Sequence, residues 1–178
     1  MSSARSWQSL ALKQFQKANT EFVAVLEALE GPQLGARGRG NVNSIGWTAW
    51  HLSRGMDRNL SEIAGDPQLW TAAGWAEKFG RPADPADTGF GHSASEAASF
   101  APPSTAALLA YHEAVQRRAA TYLRSAPGAD AARLVTSPTL GNVHTVEERL
   151  VALLADTFLH LGQISMLRQL VGGEVEIR

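Results

Sequence analysis

The chain has 178 residues, 44% hydrophobic and 19% charged, with 16 basic against 17 acidic side chains and no cysteine. A single globular domain over 1–178 is expected, long enough to bury a full core. The lack of cysteine excludes disulfides, thiolate nucleophiles, zinc ribbons and protein-ligated iron–sulfur clusters, and a net charge of -1 gives no general attraction to nucleic acid or anionic lipid.

Leu10, Phe15, Phe22, Val25, Leu26 and Leu29 recur at three- and four-residue steps and predict an amphipathic helix over residues 7–30, stopped by Gly31-Pro32. The glycine-rich run 35–40 reads as a solvated loop. Ser44 is placed to cap a second helix that runs to Ala64, with Ile45, Leu52, Met56, Leu60 and Ile63 as its apolar stripe and Gly65-Asp66-Pro67 as its stop. Residues 66–103 hold Pro67, Pro82, Pro85, Pro102 and Pro103, which predicts an irregular connection with only short helical pieces, one of them opened by a capping box at Ser93 and Glu96. Because this connection keeps Trp70, Trp75, Phe79 and Phe90, it is expected to wall a binding pocket.

A third helix is predicted over 104–125, ended by Pro127-Gly128. The stretch from Leu134 to His144 has β character but is too short and isolated to build a sheet, and is expected to cross over the helices. The last helix starts at Thr145, in a capping box with Glu148, and runs to Val171 before Gly172-Gly173. Four helices of this kind make a four-helix bundle the simplest all-α architecture, with one long irregular connection between helices 2 and 3. No run reaches the ~18 apolar residues of a membrane span, and the first helix, carrying Lys13, Gln14, Gln16 and Lys17, lacks the apolar core of a signal peptide. A cytoplasmic location follows as the expectation, with no membrane and no nucleic acid as partner.

Chemistry concentrates on two helices. Asp156 and His160 are four residues apart and Gln163 follows three later, so the three share one strip of the last helix. A carboxylate and an imidazole one turn apart are spaced to grip a metal ion. His51 lies between Trp47, Trp50 and Leu52, a setting that points it inward. Either it is a core histidine hydrogen-bonded to a neighbouring helix, or it meets Asp156 and His160 across the bundle, giving two imidazoles and a carboxylate on one side of a divalent ion. Such a set leaves coordination positions open, as catalytic metal centres do. Arg54 and Arg58, three and seven positions beyond His51, are candidates to meet an anionic substrate; Trp75 in the aromatic wall and Gln163 complete the candidate substrate contacts.

The segments Gly46–Leu60 and Asp156–Arg168, together with Pro67–Trp70, Gly74–Gly80 and Asp87–His92, resemble the DinB-like superfamily. That group includes the metal-binding domain of mycothiol-dependent maleylpyruvate isomerase and the bacillithiol transferases. The resemblance implies an up-down-down-up four-helix bundle holding a divalent metal, zinc, nickel or iron. His51 and His160 match the family's ligand positions, while Asp156 stands where many members carry the first histidine of the pair. The substitution favours a harder ion and lowers the charge of the site by one.

Related enzymes bind the sulfur of a low-molecular-weight thiol and deliver it to a small electrophile. The resemblance therefore implies metal-dependent thiol transfer, with water activation for hydrolysis as the alternative reaction. A non-catalytic bundle that binds a small ligand or pairs as a homodimer is the rival from outside enzymology. The family isomerase has a further C-terminal domain, so a chain ending at Arg178 is expected to be a different protein.

Overall fold

Helix-capping chemistry sets most of the element boundaries in the computed structural model, which describes residues 6–38 and 42–171. The Ser6 side chain accepts from the Ser9 amide to open α1, Trp7–Leu26. This helix ends earlier than its apolar pattern predicts: Glu27 turns to extended ψ, and Ala28 takes a positive φ of 64°. Leu29 stays buried beyond the helix end, which is why it continues the pattern. Gly31-Pro32 opens the short α2, Gly31–Leu34, where proline in a first turn forfeits no hydrogen bond. The predicted glycine-rich loop is non-helical through Gly38, and residues 39 and 40 lie outside the described residues, as does Gly172-Gly173.

α3, Ile45–Ala64, is capped by Ser44 through the Trp47 amide and closed by Gly65 in the left-handed region, as predicted. The connection that follows carries three short helices, α4 (Leu69–Ala72), α5 (Trp75–Lys78) and α6 (Ala94–Ser99), the last with its capping box of Ser93 and Glu96. α7, Thr105–Ser125, leads through a 3-10 turn to two strands, β1 (Leu134–Thr136) and β2 (Val143–Thr145). These pair antiparallel with Val135 opposite His144, so the expectation that this stretch builds no sheet is wrong. The hairpin is anchored from outside: Ser137 and Thr139 both donate to the Glu62 carboxylate at the end of α3. α8, Val146–Leu170, begins at the predicted Thr145–Glu148 box.

The four long helices pack in the cyclic order α1, α7, α3, α8, around a core that includes Phe15, Phe22, Trp50, Met56, Tyr111 and Ile164. Arg168 near the end of α8 donates to Ala24 near the end of α1, and Arg149 near the start of α8 pairs with Glu62 near the end of α3. Tyr111 and Arg118 of α7 bond Asp57 and Ser61 of α3, in the same order along both helices. The aromatics of the connection fill the space beside α7, where Trp70, Trp75 and Phe79 all pack on Tyr111. α8 has the length and mean hydropathy (1.5) of a membrane span, contrary to expectation. One face of it packs Leu153, Leu161 and Ile164 into the core, while Val151, Leu159, Met166 and Leu170 are exposed.

Candidate metal centre

α3 and α8 bring His51, Asp156 and His160 together, with one donor atom from each lying within 4.8 Å of the others. His160 Nε2 is 3.4 Å from Asp156 Oδ1, and the His51 and His160 rings meet edge-on at 4.8 Å between centroids. Each imidazole is anchored by its other nitrogen. His51 Nδ1–H donates to the Thr88 carbonyl at 2.5 Å, and His160 Nδ1–H donates to Gln163 Oε1 at 2.8 Å. In their neutral forms both rings would then present Nε2 as a lone-pair donor, the tautomer a metal-binding histidine needs; when His160 is protonated, the same Nε2 faces Asp156 as a donor.

Metal–ligand bonds of about 2 Å put the donors of one ion roughly 3–4 Å apart, so side-chain rotations of about an ångström close the triad. By this test the residues fit a divalent cation. Two nitrogens and one carboxylate oxygen from three side chains also leave the remaining coordination positions open.

The electrostatics follow from the geometry. Burial lowers the pKa of His51, opposed by its bond to Thr88, and the nearby His160 lowers it further. Burial pulls His160 down as well, but its contacts with Asp156 and Gln163 outweigh this and the net shift is upward. The same contact holds the Asp156 carboxyl below the ordinary range.

His51 is fixed from behind. Its ring stacks on Trp47 at 4.8 Å and 13°. Gly89, at φ 85°, passes so close that a Cβ there would lie 2.8 Å from the Trp47 ring and 3.0 Å from His51 Nδ1. His92 extends the support: it accepts from Trp47 Nε1 and donates to Asp87, which is held by Arg81.

A model of the DinB superfamily matches residues 14–164. The chain belongs to the DinB superfamily. A crystal structure described as that of a conserved protein of a locus from Enterococcus faecalis matches with a TM-score of 0.84 and 24% identity, covering 96% of this chain and 100% of that one. At that identity the likeness speaks for the fold. No curated protein gives a significant match.

The other residues expected at a substrate separate in this DinB-superfamily chain. Arg58 lines a cavity of about 480 Å³ together with His51 and Asp156, and Gln163 orients His160. Arg54 does not reach the cavity. It is fully buried, bonded to Gln68 and to the carbonyl of Asp87, and lies over the Trp70 ring. Trp75 packs on Tyr111 with Lys78 over its face and is absent from the cavity lining. The predicted wall is therefore corrected too: of the connection only Thr88 and Phe90 face the cavity, and the hairpin residues Leu140, Asn142 and His144 supply the rest of that side.

Sequence reasoning missed Thr88, Gly89, Asn142 and Arg149. A backbone carbonyl such as that of Thr88 carries no residue-type signal. The Gly89-Phe90-Gly91 triplet did carry one, since both glycines adopt positive φ.

Proposed function

We propose that this protein is a divalent-metal-dependent enzyme that transfers a low-molecular-weight thiol to a small electrophile. The observation that carries the reading is the paired orientation of His51 and His160: each imidazole spends Nδ1–H on a fixed acceptor and turns Nε2 toward Asp156. His51, Asp156 and His160 would hold the ion, whose charge would favour the thiolate form of a small thiol and so provide a nucleophile that a chain without cysteine lacks.

The chain's own residues supply positioning. Thr88 and Gln163 keep the two rings from rotating, and Trp47 and Gly89 leave His51 no alternative pose. Asp156 brings one negative charge, so the set is harder than three imidazoles and the bound cation keeps less net charge. The helix order supports the same family reading. The end-to-end pairs Arg168–Ala24 and Arg149–Glu62, with the parallel Tyr111–Asp57 and Arg118–Ser61 pairs, support an up-down-down-up order of the long helices.

Metal analysis of protein purified without a histidine tag tests the centre. About one equivalent of a transition metal is expected in the wild type, falling below about a tenth in His51→Ala and His160→Ala. Substoichiometric metal unaffected by either substitution would leave a non-catalytic bundle. Incubating the loaded protein with small thiols and an electrophile, in isotopically labelled water, then separates thiol transfer from hydrolysis by whether sulfur or solvent oxygen enters the product.

A further inference from the structure

The cavity beside the cluster contains an arginine, Arg58, with no hydrogen-bond acceptor among the described residues. Arg58 projects from α3 two helical turns beyond His51, on nearly the same face, and lines the cavity with Asn59, Asn142, His144 and Arg149. It is half-buried. Its Nε is shielded from solvent and has no hydrogen-bond acceptor among the described residues. Arg149 and Arg168 also bury an unbonded Nε, but every other buried or half-buried arginine of the described residues bonds an acceptor through at least one guanidinium nitrogen: Arg54 and Arg81 on the connection, Arg37, Arg118 and Arg168 on carbonyls, and Arg149 on Glu62. A buried N–H with no acceptor is a standing cost, and an oxyanion arriving from the cavity within reach of the Arg58 Nε would remove it.

The charges of the lining set the class of anion. Arg149 is already matched by Glu62 at 2.6 Å. Glu148 and Asp156 add carboxylates to the same walls, which disfavours a dianion such as phosphate. With Arg149 bonded to Glu62, Arg58 is the arginine of the lining that has no hydrogen-bonded carboxylate among the described residues, and a planar carboxylate suits a guanidinium fork. Asn142, whose Oδ1 accepts from Arg149, lines the same cavity.

We infer that Arg58 anchors a single carboxylate of a small molecule whose other end lies at the His51–Asp156–His160 cluster. The inference rests on the proposed function for what happens at that other end, and on Arg58 alone for the anion.

The test is calorimetric titration of the protein, carrying the metal it retains on purification, with 4-mercaptobutyrate and with 4-mercaptobutyramide, which differ only in the carboxylate. The acid is expected to bind wild type about tenfold more tightly than the amide. Arg58→Gln is expected to abolish that preference while leaving amide affinity within about twofold, and Arg58→Lys to restore part of it. A circular dichroism melt of each variant confirms that the fold is kept.

An acid preference that survives in Arg58→Gln overturns the inference, and so does inorganic phosphate displacing the acid more effectively than acetate does. The sulfur-free pair, 4-hydroxybutyrate and 4-hydroxybutyramide, separates the two readings. If the thiol compounds hold no advantage over these, the thiol role fails; an Arg58-dependent acid preference in the hydroxy pair still supports the subsite.

Discussion

Two faces of α3 handle buried polar groups in opposite ways. On one, Arg54, Asp57 and Ser61 are buried and fully partnered: the Asp57 carboxylate accepts from the Leu69 and Trp70 amides at 2.9 and 2.8 Å and from Tyr111 at 2.8 Å, with Arg54 and Arg118 each 3.5 Å away. On the other, among the described residues, His51 spends only Nδ1 on a protein partner and the Arg58 Nε has no acceptor. The first face uses its charges to tie the start of the long connection to α3. The second leaves them without a protein partner among the described residues. Within one helix, the presence or absence of a protein partner separates scaffold from site more sharply than residue type does, since both faces carry an arginine and a carboxylate or imidazole.

The largest effect expected is at the closed face. Asp57→Ala removes the acceptor for two amides and a phenol and strands Arg54 at full burial, so it should cost about 3–5 kcal/mol in denaturant unfolding. His160→Ala, by contrast, should change the stability of the metal-free protein little while abolishing metal uptake.

A second, smaller effect separates the faces by pH. His112 is buried against α3, hydrogen-bonded to Ser53 and stacked on Phe22, and burial pushes its pKa down to about 3. The unfolded chain takes up this proton near pH 6.5 and the folded chain does not. Stability is therefore complete above pH 6.5 and is lost as the pH falls from 6.5 toward 3, by about 1.4 kcal/mol per pH unit. Unfolding midpoints at pH 7 and pH 5 should show this loss, and His112→Gln should flatten it.

The smallest expected effect is at the open face. Gln163→Ala frees the His160 ring without removing a ligand and should weaken metal affinity about tenfold, with no change in the thermal midpoint of the metal-free protein.

The sequence made the local parts of this picture legible because they depend on residues close in the chain. Ser44, Gly65 and the Thr145–Glu148 box mark helix ends through their own backbone, and Asp156 and His160 share a face by the period of one helix. Arg58 follows His51 by almost two whole turns and so stays on its face, while Arg54, three residues on, is rotated by about 60°. That rotation carries it beneath the connection, and nothing within α3 states where a segment of nearly forty residues will lie. Trp75 was misplaced for the same reason: its aromatic character predicts burial, whereas its partner Tyr111 is decided by tertiary packing. The hairpin depends on Glu62, more than seventy residues before it, holding Ser137 and Thr139, a contact that local β propensity cannot reveal.

The turn at Thr88 and Gly89 gives the centre a property relevant to protein engineering. Because a bare backbone carbonyl orients His51, and a residue without a side chain is what lets that carbonyl approach, the three side chains are not a portable motif. Grafted onto the corresponding turns of another pair of helices, His51, Asp156 and His160 would reproduce the spacing but not the tautomer. A working transplant would have to carry the turn with it.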